Sequence, residues 1–156
     1  MTTELEQHKA SLEKNKALVR KFIEAMFTLE PDNIRPLMDP NCMFQLPNIT
    51  NNPDTVYGEE LFQKIMCNFN SKMNPNSPIP NGFYRVDIGQ MTAEDNRVST
   101  IVDGYATTSA GTAYNNRYHI LTYVGEDDLI VKHIEYLDSH LGYKVIVPIM
   151  KKSGTI

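Results

Sequence analysis

The chain contains no tryptophan and only two cysteines, Cys42 and Cys67, among its 156 residues. Without a recognisable secretion signal, two cysteines predict free thiols in a reducing compartment, and no Cys or His pair has structural zinc spacing. Positive charge is also scarce, because 15 Lys and Arg stand against 19 Asp and Glu, giving a net charge of −4. Since phosphate contacts dominate nucleic-acid affinity, this balance argues against a nucleic-acid partner.

Long apolar runs are missing as well. No apolar segment reaches the roughly 20 residues that a membrane-spanning helix needs, and residues 1–9 lack the apolar core of a signal peptide. We therefore predict a cytoplasmic protein without a membrane partner. Hydrophobic residues (41%) and charged residues (22%) are present in ordinary globular proportions. A chain of this length predicts one domain over residues 1–156, with room for a ligand cavity.

The first half of the chain has the apolar spacing of helices. Thr3 followed by Glu6 is a capping-box signature, and apolar residues then recur every three or four positions until Pro31 ends the helix. A short second helix is predicted at 31–38, and Gly58 begins a third. The apolar face of the third helix would consist of Leu61, Phe62, Ile65, Met66 and Phe69.

The second half changes to the β-branched and aromatic composition of strands. Short turns separate the runs, and connections this short join antiparallel neighbours. A brief strand-like run at 43–46 precedes them, and a tail at 139–156 follows. The predicted strands are 83–90, 97–108, 114–124 and 129–138. Helices followed by an antiparallel meander predict an α+β fold, in which a curved sheet encloses a pocket against the helices.

The last predicted hairpin resembles a known family. Tyr-Asn-Asn-Arg-Tyr-His-Ile at 114–120 and Leu-Ile-Val-Lys-His-Ile-Glu-Tyr-Leu-Asp at 129–138 resemble the last hairpin of the SnoaL-like, ketosteroid-isomerase-like group of the NTF2-like superfamily. The order of elements agrees over about residues 10–140, and the tail at 147–154 is similar to that of the phenazine-biosynthesis A/B proteins. The resemblance implies a cone-shaped fold, dimerisation, and chemistry without a metal or organic cofactor. Members include isomerases, cyclases and condensation catalysts, and also non-catalytic binding proteins.

The same resemblance implies roles for two residues. An acid on the last strand matches Glu135, and a pocket tyrosine on the preceding strand matches Tyr114. The helix histidine of the phenazine-type members is replaced here by Ile65. The Asp-Arg-Asp set of the epoxide-hydrolase members is not matched either, because Ile101 stands two residues before Asp103.

Strand alternation accounts for the chemistry expected of Glu135. If one face of residues 129–137 meets a pocket, His133 and Glu135 share that face. Desolvation raises the pKa of a carboxyl group and suits it to general acid or base work. His133 and His119 are candidate proton shuttles, because histidine titrates near neutral pH. The alternative is a solvated or salt-bridged Glu135 on the outer face.

The register of the last hairpin decides which residues accompany Glu135. If Val124 pairs with Leu129, three polar side chains of the preceding strand share its face, and a phenol and an amide there can polarise a substrate carbonyl. These residues are Tyr114, Asn116 and Tyr118. A one-residue slip would instead bring Arg117 and His119 beside Glu135, and Arg117 would then pair with it.

The sequence thus predicts an enzyme that isomerises, cyclises or condenses a hydrophobic, carbonyl-bearing metabolite. Glu135 would be the acid/base and Tyr114 would polarise the carbonyl. The rest of the predicted substrate pocket comprises Asn116, Tyr118, His133, Met43, Ile65, Phe69 and Tyr84. The alternative is a non-catalytic dimeric module that binds a ligand or a protein.

The opposite face of the last strand predicts the oligomeric state. Ile130, Ile134 and Tyr136 would lie there, on a sheet face without helix cover. Since an exposed apolar face of that size usually meets a partner, we expect an isologous homodimer through it.

Overall fold

The computed structural model describes residues 3–59, 62–152 and 154. The fold is α+β, as predicted, with a long N-terminal helix packed on a curved five-stranded sheet. The strands are β1 (Met38–Gln45), β2 (Phe83–Glu94), β3 (Arg97–Thr107), β4 (Ala113–Val124) and β5 (Ile130–Leu137). Their order across the sheet is β1-β5-β4-β3-β2, and β2 to β5 form the predicted antiparallel meander.

Helix α1 (Glu4–Phe27) begins with the predicted capping box. The Glu6 amide donates to the Thr3 hydroxyl at 3.2 Å, and the Thr3 amide donates to the Glu6 carboxylate at 2.7 Å. These two bonds satisfy N–H groups that the first helical turn leaves without partners. The face turned to the sheet is apolar over its last turns, and its buried residues include Val19, Phe22, Ile23, Met26 and Phe27.

The shorter helices lie near their predicted positions. Helix α2 (Pro31–Ile34) runs into a 3₁₀ turn, Arg35–Leu37. The predicted third helix is a π-helical segment, Phe62–Met66, followed by helix α3 (Cys67–Phe69). Its apolar face is buried at Phe62, Ile65, Met66 and Phe69. Leu61, assigned to the same face, lies outside the described residues.

Strand β1 is longer than the sequence predicts, and it pairs with β5 in parallel. It lies at an edge of the sheet, where Pro40 is tolerated because one side of the strand needs no ladder hydrogen bonds. Phe44 is opposite His133 in this pairing. The parallel neighbour comes from a distant part of the chain, so local sequence pattern gives no sign of it.

A bulge between Tyr123 and Val124 sets the register of β4 against β5. Val124 pairs with Ile130, not with Leu129 as predicted. From Tyr123 back to Tyr118, each residue of β4 pairs with the β5 residue two positions after the predicted one. An even offset leaves each side chain on its predicted face of the sheet, because side chains alternate with a period of two. The bulge also turns Ile130 into the core, where it is fully buried, so its predicted place on the outer face is wrong.

The tail after β5 is helical, which the sequence analysis did not predict. Helix α4 (Ser139–Lys152) is capped by Asp138, whose carboxylate accepts from the amides of His140 at 2.9 Å and Leu141 at 3.2 Å. Such a cap satisfies free N–H groups of the first turn. Ser153, part of the tail resemblance, lies outside the described residues. In the described part of the chain, no helix has the length and apolar character required to cross a membrane.

Gly104 is required for the packing of α1 on the sheet. A Cβ at this position would lie 2.5 Å from Cε1 of Phe27 and 3.0 Å from Cε1 of Phe83. We expect Gly104→Ala to lower the free energy of unfolding by about 1–3 kcal/mol, because overpacking forces neighbours from their preferred positions. Urea denaturation measures this change.

Gly58→Ala is the matched control, because a Cβ there meets nothing within 4 Å. Its unfolding free energy should stay within about 0.5 kcal/mol of the wild type. Equal midpoints for the two variants would contradict the packing role of Gly104.

Candidate active site

An apolar cavity of about 100 Å³ lies between α1, the π-helical segment and the sheet. Its walls are mostly aliphatic and aromatic side chains from both halves of the chain. They include Met26, Phe27, Leu29, Phe44, Leu46, Ile65, Met66, Phe69, Phe83, Leu137 and Ile146. Four polar or charged side chains also line it, namely Gln45, Tyr118, His133 and Glu135.

His133 holds the carboxylate of Glu135 at the cavity wall. Nε2 of His133 lies 2.9 Å from Oε1 of Glu135, and the side chains are 1% and 17% exposed, respectively. On the other side of the ring, Nδ1 of His133 lies 3.1 Å from the hydroxyl oxygen of the fully buried Thr122. Thr122, His133 and Glu135 therefore form one hydrogen-bonded chain that leads from the core to the cavity.

Two aromatic contacts fix the plane of the His133 ring. Phe22 of α1 meets it edge to face with ring centroids 5.2 Å apart, and Phe44 of β1 does so at 5.8 Å. Such contacts restrict ring rotation and contribute about 0.5–1.5 kcal/mol each beyond area burial. The ring is thus held by packing and by hydrogen bonds together.

Tyr118 and Tyr114 bring two phenol groups to the same region. Their hydroxyl oxygens are 3.5 Å apart, and the Asn116 side-chain amide donates to the Tyr114 hydroxyl at 3.2 Å. Burial raises the pKa of Tyr118 well above its ordinary value, and the Tyr114 hydroxyl and the charge of Glu135 raise it further. Burial also raises the pKa of Tyr114. Both phenols therefore keep their protons at neutral pH and can donate hydrogen bonds.

Arg117 lies on the opposite face of the sheet and pairs with Asp103. Its Nε and Nη2 donate to the two carboxylate oxygens at 2.7 and 2.9 Å. The hydrogen bond from Arg117 lowers the pKa of the Asp103 carboxyl. His119 shares that face, and its Nε2 lies 2.8 Å from the Ser99 hydroxyl. The slipped register, with Arg117 beside Glu135, is therefore not the one the structure adopts.

Five of the predicted site residues lie together on the cavity wall: Ile65, Phe69, Tyr118, His133 and Glu135. Tyr114 and Asn116 lie behind this wall, where both are buried and Tyr114 contacts Tyr118. The structure thus brings Tyr118 to the cavity at the place predicted for Tyr114.

Met43 and Tyr84 were predicted as apolar walls, and both placements are wrong. Met43 is 42% exposed and Tyr84 is 67% exposed, while their neighbours Phe44 and Phe83 face the cavity. Adjacent residues of a strand point to opposite faces. In each of these short runs two neighbouring residues are apolar, so composition alone does not identify the inward one.

Sequence reasoning also missed three residues that shape the site. Thr122 alternates with Tyr118 and could have been found from that spacing. Leu29 reaches the wall from a left-handed backbone conformation (φ 56°) just after α1, a position usually taken by glycine. Asn48 bonds the backbone of Leu137 through both its side-chain amide and its side-chain carbonyl oxygen, and so continues the contact with β5 past the end of β1.

No group of three or more His, Cys, Asp and Glu side chains suited to a metal ion occurs within 3–59, 62–152 and 154. Burial raises the pKa of the Cys42 thiol to about 12, so this cysteine is not a thiolate at neutral pH.

Solved structures share this fold at low sequence identity. BvnE pinacolase from Penicillium brevicompactum aligns with a TM-score of 0.68 and 14% identity, over 97% of each chain. PrhC from Penicillium brasilianum NBRC 6234 gives 0.65 and 16%, over 91% of this chain and 92% of its own. IdmH from Streptomyces antibioticus, a candidate polyketide cyclase, gives 0.64 and 15%, over 83% and 96%. No family model and no curated protein sequence matches the chain. The comparisons therefore show a shared α+β fold, in which a long helix packs on a curved sheet.

Asn116 connects the tyrosine pair to the end of β5. Its side-chain oxygen accepts a hydrogen bond from the Asp138 backbone amide at 2.8 Å, and its side-chain NH₂ group donates one to the Tyr114 hydroxyl. We expect Asn116→Ala to lower the free energy of unfolding by about 1–3 kcal/mol, because buried groups lose their partners. Thermal or urea denaturation measures the loss.

Asn115→Ala provides the control, because Asn115 is the exposed neighbour on the same strand. It carries the same change in strand propensity without the buried contacts. Equal losses in the two variants would mean that the Asn116 hydrogen bonds contribute nothing.

Proposed function

We propose that the chain is a small-molecule enzyme of the SnoaL-like, ketosteroid-isomerase-like group. It would perform general acid/base chemistry on an apolar metabolite that bears a carbonyl group. The observation that supports this proposal is the Glu135 carboxylate, which is bonded to buried His133 and lines an apolar cavity that Tyr118 also lines. The names pinacolase and polyketide cyclase among proteins of the same fold agree with such a role.

The proposed reaction begins with proton removal next to the substrate carbonyl. Glu135 takes the proton from carbon, and the electron pair of that C–H bond moves through the new C=C bond to the carbonyl oxygen. Tyr118 donates a hydrogen bond to the resulting oxyanion, where negative charge develops. Tyr114 supports Tyr118 from behind. Return of the proton to another carbon completes an isomerisation. In a cyclisation or condensation, the enolate carbon attacks a second carbonyl carbon, and the oxygen of that carbonyl takes the proton from Glu135.

The volume of the cavity limits what reaches Glu135. At about 100 Å³ it is smaller than the roughly 150 Å³ of an apolar cavity known to hold benzene. Drug-sized ligands usually occupy pockets of about 300–1,000 Å³. The part of the substrate inside would therefore be one small ring or a short branched segment carrying the carbonyl. A larger molecule would keep its remaining atoms at the mouth or require the walls to move.

Exchange of α-hydrogens in D₂O tests the proposed chemistry. Small cyclic ketones such as cyclopentanone and cyclohexanone serve as probes, and mass spectrometry follows deuterium incorporation. A positioned acid/base contributes on the order of 10²–10⁴-fold in rate. Glu135→Gln should reduce protein-catalysed exchange by that factor, because the amide keeps the shape but accepts no proton.

Glu126→Gln is the control, because Glu126 lies exposed in the turn between β4 and β5. It should exchange at the wild-type rate. Ketone binding without exchange above the solvent rate, in wild type and variants alike, would favour the alternative of a non-catalytic binding module.

We also propose that the chain forms a homodimer through the outer face of the sheet. Tyr136 is 41% exposed there, beside the His119 ring, and the Asp103–Arg117 pair continues the same face. Light scattering at micromolar concentration should give twice the chain mass. Tyr136→Lys should shift the equilibrium towards monomer, because an isologous contact would bring two positive charges into one interface. Lys151→Glu, on α4, is a control that should leave the mass unchanged. A wild-type monomer would reject this interface.

A further inference from the structure

Thr122 and His133 form a cross-strand pair behind Glu135. They are direct partners in the β4–β5 register, and Glu135 follows His133 by two residues on the same face. The bulge at Tyr123 and Val124 lies immediately beyond this pair. A one-residue change of register would replace Thr122 opposite His133 by a side chain from the other face of the sheet.

The Glu135 carboxylate determines which nitrogen of His133 carries a proton. An ionised carboxylate only accepts hydrogen bonds, so Nε2 of His133 must carry the hydrogen that points to Glu135. In the neutral ring Nδ1 is then an acceptor, and the Thr122 hydroxyl must donate to it. Thr122 thus supplies the donor that Nδ1 requires and holds the ring with its Nε2–H directed at Glu135.

The two oxygens of Glu135 are left in different environments. Oε1 is engaged by His133 at 2.9 Å. Oε2 has no hydrogen-bond partner among the residues that the structure describes. The carboxylate is therefore divided into an anchored oxygen and an oxygen available to a ligand.

We propose that Thr122 and His133 are positioning residues that orient Glu135 for proton transfer at Oε2. This inference rests on the function proposed above. The C–H proton of the substrate goes to Oε2, and the electron pair of that bond goes to the substrate carbonyl oxygen. The Nε2–H bond to Oε1 persists throughout, so the carboxyl group does not turn away before it returns the proton. His133 acts through Glu135 and does not itself exchange a proton with the substrate.

Two substitutions of Thr122 separate this role from a packing role. Thr122→Val keeps the shape and removes the hydroxyl, whereas Thr122→Ser keeps the hydroxyl and removes a buried methyl group. His133 itself is unsuitable as the main test, because its ring packs between Phe22 and Phe44 and its replacement would disturb the fold.

Kinetics of ketone exchange and imidazole NMR provide the two measurements. With the cyclic ketone that wild type exchanges fastest, Thr122→Val should lower kcat by about 10–100-fold, a size typical of groups that orient reacting residues, with KM nearly unchanged. Thr122→Ser should keep kcat within a few-fold of wild type although its Tm falls. By ¹⁵N NMR, all three proteins should show His133 protonated at Nε2, because the Glu135 carboxylate only accepts hydrogen bonds. The shift of Nδ1 should be that of a hydrogen-bonded nitrogen in wild type and Thr122→Ser, and that of a nitrogen without a donor in Thr122→Val.

The two measurements also distinguish the two proposals. Exchange rates that follow Tm, with Thr122→Ser no better than Thr122→Val, would overturn the positioning role. An Nδ1 shift that is the same in Thr122→Val as in wild type would overturn it as well. If wild type exchanges no ketone but the Nδ1 shift depends on the Thr122 hydroxyl as described, the proposed reaction fails while the hydrogen-bonded orientation of Glu135 is supported.

Discussion

The structure depends on the packing of α1 across the concave face of the sheet. Two phenylalanines make the decisive contacts: Phe22 meets the His133 ring, and Phe27 meets the rings of Tyr118 and Phe83. Phe27 fits because Gly104 has no Cβ beneath it. The hydrophobic burial that stabilises the fold therefore also orients the polar groups of the candidate site. Removal of these side chains from water strengthens each electrostatic interaction among them.

Strand alternation then separates two kinds of chemistry on the two faces of one sheet. The inner face holds Tyr118 and the His133–Glu135 pair against apolar walls. The outer face holds the Asp103–Arg117 pair, which is open to solvent on the arginine side. The guanidinium is thus kept away from Glu135, which it would otherwise neutralise as a base. The bulge before Val124 moves Ile130 into the core but leaves Tyr118, His133 and Glu135 on the inner face.

The sequence predicted the elements better than their long-range partners. Capping residues, helical spacing and strand runs are local signals, and they located α1 and strands β2 to β5 within a few residues. The parallel pairing of β1 with β5 depends on contacts between distant parts of the chain. The helix after Asp138 depends on capping by that residue, which the composition of the tail did not indicate. Within the site, alternation placed Tyr118 and Glu135 on one face. It did not distinguish Met43 from Phe44, because both neighbours are apolar and either could face inward.

The composition of the cavity favours catalysis over simple binding of an apolar ligand. A carboxylate beside apolar walls loses hydration, and this loss costs free energy unless hydrogen bonds or opposite charge offset it. Among the described residues, Glu135 has one such hydrogen bond, from His133, which is itself held by Thr122. If the cavity only bound an apolar molecule, a hydrophobic residue at position 135 would make the folded protein more stable. An ionisable group that is held by buried His133 of the same strand and that lines the cavity with a protonated phenol agrees with the proton transfer proposed above.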